Sequence, residues 1–380
     1  VNFLQVAYTE SEYKACIPSV LKLKESYYLS PDVVFKIHRK HFQISEFVET
    51  FNLEMNTSNL FSASQEKSNW HSLNIKLCEL FWNLSLHHIH IPERCYSDII
   101  SKLTSQNMDS SSSSFNLGSK HIFTSEKIGE CISRLKLEMF NQKKDSCDTR
   151  IALRSLRNIF PSDVLQRTES ICNLMQNLVL PRCSNSISDA MFTANFFESL
   201  RQTVPHFDFF QYFDIVMEDI EKKIECCTDF EAEHYGYFLD ESFRKIIYIS
   251  SNDDYVHLVQ ESYNTSSTQR KGEMIYSQIK VKKIIIWHRK LLHAFMNLLR
   301  KGSQYDIRKS LVILNKISTF PALLNHGEVI LREVKNICSS CDYDDIKTIT
   351  RSYDANLKQR KIFWKTEDEF IRSSISSVWL

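Results

Sequence analysis

Two clusters in this chain have ligand-like spacing. His87, His88 and His90 fall within four positions, with Cys95 five residues further on. A zinc ion needs four convergent nitrogen or sulfur donors, usually as two pairs at fixed spacing. Only one cluster is present, and it falls at an expected helix end, where the backbone dipole favours histidine. The plainer reading is a helix terminus. Cys338-Ser339-Ser340-Cys341 has the spacing of a redox dithiol. Such a site belongs at a strand-to-helix turn, whereas these cysteines lie on the apolar face of a helical pattern, which reads as packing. Adjacent Cys226 and Cys227 read as a buried pair at a helix end. Carboxylates gather at Asp253-Asp254 and at Asp342, Asp344 and Asp345. Paired carboxylates can serve acid–base chemistry. Both groups sit where helices start, so capping accounts for them.

Phosphate cradles need paired glycines, because backbone must approach the phosphate. The closest pair here, Gly118 and Gly129, lies eleven positions apart. That excludes a P-loop and a dinucleotide fingerprint. No H-E-x-x-H or G-x-S-x-G occurs, and no residue is assigned to catalysis, a cofactor or a metal. The remaining chemistry is charge. Lys282, Lys283, Arg289, Lys290, His293, Arg300 and Lys301 share the polar face of an expected helix over 273–301. They read either as a docking face for an acidic partner or nucleic acid, or as an ordinary solvated face. A second basic run, Lys358, Arg360 and Lys361, precedes Phe363-Trp364 and the acidic Glu367-Asp368-Glu369.

The elements that must position these side chains are helices. Only six glycines and seven prolines occur in 380 residues, too few for the frequent turns of a β-rich fold. Net charge is +1, so any basic surface is local. Eleven scattered cysteines suggest a reducing compartment with free, mostly buried thiols. In that setting the N-x-S/T triplets at Asn56, Asn83 and Asn264 carry no glycan. No run of eighteen apolar residues is present, so no membrane-spanning helix and no membrane partner is expected. A chain opening on Val1 is expected to be an internal piece of something longer.

In chain order, two helices are expected in 1–53, the second started by Ser30-Pro31-Asp32. A polar loop follows at 56–69. Helices are expected over 70–90, from Glu93 to Leu103, over 121–143 and over 148–159. A flexible insertion at 104–120 holds the serine run Ser110 to Ser114. Ser162-Asp163 caps the next helix. Ser184–Gln202 and His206–Glu225 follow, the latter with the stripe Phe209, Phe213, Val216, Met217, Ile220 and Ile224 at helical spacing. Thr228 and Glu231 form a capping box, and Gly236 marks close helix packing. Asn252-Asp253-Asp254 begins a short helix, and 262–272 reads as an exposed link. Within 273–301, Ile284, Trp287, Leu291, Phe295 and Leu298 lie beside Ile285, Leu292, Met296 and Leu299, as on a helix packed between two neighbours. Gly302-Ser303 and Phe320-Pro321 separate the helices beyond Lys301. This makes roughly fifteen helices with short links, the pattern of an irregular repeat. The fold expected is all-α, an irregular α-solenoid of stacked antiparallel helix pairs like HEAT or armadillo repeats. Its parts are N-terminal helices at 1–53, a helical-repeat region at 70–261, and C-terminal repeats with a tail at 273–380.

Several segments, in order, carry a resemblance. They are Phe81-Trp82-Asn83-Leu84 with Tyr96; Leu180-Pro181-Arg182-Cys183 with Ser188-Asp189-Ala190; and Tyr212-Phe213-Asp214 leading to Cys227-Thr228, Glu231-Ala232, Tyr235-Gly236 and Phe238-Leu239. Further on come Trp287-His288 with Lys290-Leu291; Ile307-Arg308 with Leu311, Ile313-Leu314 and Lys316-Ile317; and Leu357-Lys358 with Arg360-Lys361 before Glu367-Asp368-Glu369-Phe370. Over about 70–380 the chain resembles the THO complex subunit 2 family. The resemblance implies a non-catalytic α-helical scaffold in the nucleus, without cofactor. Its implied partners are the other THO subunits and a DEAD-box RNA helicase that loads export factors onto mRNA. The family's charged nucleic-acid-binding tail has no counterpart before Leu380, so mRNA would be met mostly indirectly. The alternative is a direct RNA-binding module using 282–301 and 358–361, with Trp364 stacking on bases.

Overall fold

The computed structural model describes residues 75–110, 125–156, 158–251 and 269–375, together with Lys22. The expectations for 1–53, 56–69, 111–120 and the Asn252-Asp253-Asp254 start lie outside the described residues. Among these residues there is no β-strand, and one isolated parallel bridge joins Leu323 to Lys365.

The first helices are α1 (Ile75–Asn83), α2 (Leu86–Ile89), α3 (Glu93–Ser110) and α4 (Ser125–Arg154). Glu93 starts α3 as expected, but the helix continues through 104–110, which the sequence assigns to the insertion. Thr104 and Ser105 return their hydroxyls to the carbonyls of Ile100 and Ser101 at 2.7 and 2.9 Å, so these polar residues stay compatible with the helix. Helix α4 is continuous where two helices, 121–143 and 148–159, are expected. Its middle holds no glycine or proline, and residues of modest propensity do not stop a helix by themselves.

Helix α5 (Val164–Leu174) is capped by Asp163, which accepts from the Gln166 amide at 3.0 Å. It runs through a π turn at Met175–Val179 into the short α6 (Leu180–Cys183). Helix α7 (Ile187–Thr203) starts later than Ser184, because Ser186 takes the cap and accepts from the Asp189 amide at 3.0 Å. The single helix expected over 206–225 is two, α8 (Phe209–Val216) and α9 (Ile220–Cys226), with Asp219 left-handed at φ 48 between them. The break is stabilised by Lys223, whose Nζ donates to the carbonyls of Ile215, Val216 and Glu218 at 2.9, 3.1 and 2.6 Å. Ile215 and Val216 lie in the last turn of α8 and Glu218 just beyond it, where carbonyls lack the regular i+4 helical partner. All six stripe residues are nevertheless buried.

Helix α10 (Asp229–Ser251) opens on the expected box: the Thr228 amide donates to Glu231 Oε2 at 2.9 Å and the Glu231 amide to Thr228 Oγ1 at 3.2 Å. Helix α11 (Gln269–Lys301) begins inside the link expected at 262–272. Then come α12 (Gln304–Lys316), α13 (Leu324–Ser340), α14 (Asp344–Arg360) and α15 (Glu367–Ile375). Ser303 and Asp306 box the start of α12, and the Phe320–Pro321 peptide before α13 is cis. The expected tail is thus two helices, joined by a short 3-10 turn at Lys361–Phe363.

Helix α10 lies between α7 and α12, and α12 also packs on α14; α11 contacts α9, α12, α13 and α15. One buried cluster runs from Leu77 to Phe370. Near its start Phe81, Phe192, Phe196 and Phe197 meet edge-on or tilted, and Phe197 stacks on Tyr212 at 4.2 Å between centroids. The most deeply buried charge among the described residues lies in this cluster. Arg182, 2% exposed, lies over the Phe192 ring at 3.5 Å, bonds Asp189 at 2.9 Å and donates to the Leu84 carbonyl at 2.7 Å. The thiols correct the expectation of burial. Cys78 and Cys183 are buried, while Cys95, Cys147 and Cys226 are exposed and the other described cysteines are half-buried. Three of these lie on polar helix faces, where a small side chain has nothing to pack against.

Candidate partner interface

Helix α11 carries most of the candidate cations, and its apolar faces are buried as the spacing predicts, with Leu292 half-buried. Three of its six candidate cations are engaged by neighbouring helices. Lys283 bonds Asp214 of α8 at 2.6 Å, and the Trp287 indole donates to the other oxygen of that carboxylate at 2.7 Å. Arg289 Nη2 reaches both oxygens of Glu367 on α15, at 2.9 and 2.8 Å. Arg300 meets Glu333 of α13 at 2.8 Å. These bonds join α11 to three other elements.

The second basic run is also engaged. Lys358 pairs with Asp354 within α14. Arg360 donates to the Phe320 carbonyl. Lys361 lies 3.8 Å from Glu328. Trp364 is 8% exposed and lies flat on Gly327, where a Cβ would come within 2.5 Å of its ring. Its face toward Gly327 is therefore closed to a base, and little of the ring meets bulk solvent; the exposed aromatic in this run is Phe363. Three candidates remain. Lys282, Lys290 and Lys301 are exposed, and no described residue pairs with them.

Lys290 opens onto a groove of about 950 Å³ between α11 and the α8–α9 turn. One wall holds Arg289, Lys290 and His293; the other holds Glu218, Asp219, Glu221 and Glu225, with Lys222 paired to Asp219 at 3.1 Å. Asn297 of α11 donates to Glu221 at 3.0 Å. Ile286, 47% exposed, and Met217 supply apolar surface. Opposed charges around an apolar floor suit a protein surface, where both signs can be matched. Phosphate would meet one attractive and one repulsive wall. The acidic wall is the part of this site that sequence reading passes over. Ile286 gave a signal, as an apolar residue among the charges of one helix face.

The histidine cluster folds on itself: the Ser85 amide donates to His88 Nδ1 at 3.0 Å, and the His87 and His88 rings stack at 3.9 Å. Burial, then the neighbouring His87, lowers the His88 pKa. Among the described residues no group of three or more His, Cys, Asp or Glu could hold a metal ion. No described helix is long and apolar enough to cross a membrane.

Comparison with known proteins adds a lineage to this geometry. The chain is 23% identical to THO complex subunit 2 of Arabidopsis thaliana over 424 aligned positions, covering 97% of this chain and 23% of that protein. It is 24% identical to THO complex subunit 2 of Homo sapiens, covering 79% of this chain and 20% of the human protein. The Saccharomyces cerevisiae protein of the same name is 22% identical, with coverage of 74% and 16%. The chain thus spans less than a quarter of the length of each of these relatives. The model of the family described as Transcription factor/nuclear export subunit protein 2 matches residues 70–357, and the chain belongs to that family.

Proposed function

We propose that this chain is a non-catalytic scaffold segment of a THO complex, acting in the nucleus. In this reading it holds sister subunits and the DEAD-box mRNA-export helicase, coupling transcription elongation to assembly and export of the messenger ribonucleoprotein. Its helix pairs stack as an irregular solenoid, with regions at 70–261 and 273–380 presenting surfaces to partners. The observation that carries this reading is the division of labour on α11. Lys283, Arg289 and Arg300 are bonded to other helices, while the groove beside Lys290 offers an apolar floor between walls of opposite sign.

The test is association of the purified chain with THO subunits and with the helicase, followed by pull-down and helicase ATPase rate. Ile286→Asp with Lys290→Glu should weaken association about tenfold or more, as loss of an anchor side chain does. Both residues are exposed, so the melting temperature should stay unchanged. Unaltered association in the double variant would remove the groove from the proposal, and no association of the native chain at micromolar concentration would remove the scaffold reading. The alternative of direct RNA binding rests on Lys282, Lys290 and Lys301. Three phosphate contacts would give a log–log salt slope of about −2 on single strands, abolished by reversing those three charges.

A further inference from the structure

A second cavity, of about 350 Å³, lies where α10, α11, α14 and α15 meet. Its apolar lining includes Ile284, Pro321, Ala322 and Phe370. The polar side chains on it are Trp364, Arg360, Ser318 and Thr319. Trp364 is nine-tenths buried, and its Nε1–H has no hydrogen-bond partner. Arg360 is half-buried, donates to one backbone carbonyl, and has no carboxylate paired with it among the described residues. The hydroxyl of Ser318 and, more loosely, that of Thr319 are already turned to Asp240, at 2.9 and 3.4 Å. An apolar site that offers donors and a guanidinium calls for an occupant with an apolar body and an anionic acceptor. Burial lowers the Arg360 pKa, with Tyr353 and Asp240 opposing it, so an anion brought beside the guanidinium would offset a remaining desolvation cost.

The rim says what the occupant is attached to. Phe363, which lines the cavity, and adjoining Ile362 are 70% and 81% exposed. Two large apolar side chains beside the opening extend the apolar surface beyond the cavity itself. A free small molecule of this volume would leave them in water; a polypeptide passing over the mouth would cover them. We propose that the cavity receives one large apolar side chain of a partner protein segment, with a carboxylate on the next residue bound by Arg360. The site is separate from the groove beside Lys290, and the two can fail independently.

The test uses the full chain and three acetylated, amidated dipeptides: Phe-Asp, Phe-Asn and Phe-Lys. The readout is the indole N–H resonance of Trp364, assigned among five tryptophans with Trp364→Phe. Phe-Asp should move this resonance at about 5 mM, the affinity range of a fragment this small. Phe-Asn should need about tenfold more, the effect of one charge-assisted bond, and Phe-Lys should leave it in place. Arg360→Gln should make Phe-Asp and Phe-Asn equivalent, and Ala322→Leu should block both by filling the cavity. If either variant misfolds, the dipeptide series on the native chain decides the matter. A Trp364 resonance that Phe-Asp leaves unmoved, or that all three dipeptides move equally, overturns the proposal.

Discussion

His288 is buried in the α11 interface with neither ring nitrogen hydrogen-bonded. It stacks against Phe320 at 5.5 Å and meets Phe243 at 5.2 Å. Burial, then nearby His326, pulls its pKa from 6.5 down to about 3. His326 is itself lowered by burial and then by Arg289, with Glu367 opposing. Between these two values the unfolded chain binds a proton that the folded chain does not. The contribution to stability is therefore full above pH 6.5 and is lost progressively as pH falls. From pH 7 to pH 5 the loss attributable to this residue should be about 2 kcal/mol. His288→Leu should flatten that part of the melting-temperature profile, at little cost near neutrality, since no hydrogen bond is broken. An unchanged profile would assign the pH dependence to other groups.

Several of the residues that carry the family resemblance are, at this same scale, contacts between helices. Arg182 bonds Asp189; burial works to raise that carboxyl, but the guanidinium and its hydrogen bonds more than offset it and the pKa falls. Asp214 receives both Lys283 and Trp287. Arg308 bridges Asp229 at the start of α10 and Asp345 at the start of α14. These members of the signature report how helices meet, whereas Lys290, which also belongs to it, faces the groove.

At the scale of elements, two glycines set two approaches. A Cβ on Gly236 would lie 2.9 Å from Lys316 Cβ and 3.3 Å from Ile313 Cα, so α10 and α12 touch there through backbone. Gly236→Ala should gain about 1 kcal/mol of helix propensity yet lose about 1–3 kcal/mol to overpacking. A denaturant midpoint should therefore fall or hold, and a clear rise would show that the two helices can part freely. Gly327→Ala should be more disruptive, because the group it meets is the rigid Trp364 indole. That indole precedes Lys365, which exchanges backbone hydrogen bonds with the 322–324 segment at 3.0 and 2.8 Å. The expected result is a loss of about 2–3 kcal/mol together with a red-shifted tryptophan emission as Trp364 is lifted toward water.

At the scale of the whole molecule, the buried cluster is continuous from Leu77 to Phe370 and crosses the α10–α12 contact. A shared core unfolds cooperatively. Calorimetry should show one transition, which Gly236→Ala and Gly327→Ala both shift. Two separable transitions would mean that 70–261 and 273–380 are energetically independent. The charge pattern points the same way as the core. Net charge is +1, and Lys283, Arg289, Arg300 and Lys361 are each answered by a carboxylate from another helix. Exposed pairs of this kind contribute at most about 1 kcal/mol each, so they set helix register more than stability.

Periodicity and capping residues determined the helical class, the buried stripe from Phe209 to Ile224, the cap at Asp163, the box at Thr228 and the helix start at Ser303. Each depends on residues within a few positions of one another, and a 3.6-residue period states which side chains share a face. It does not state what that face meets. Lys283 finds Asp214 at a separation of 69 positions and Arg289 finds Glu367 at 78. The break at 217–219 is stabilised by a lysine that the pattern places inside the helix. The acidic wall opposite Lys290 and the donors around the cavity at Trp364 arise the same way. Side chains from distant helices converge only when the core brings those helices together, so tertiary packing decided which basic residues bind the fold and which face outward.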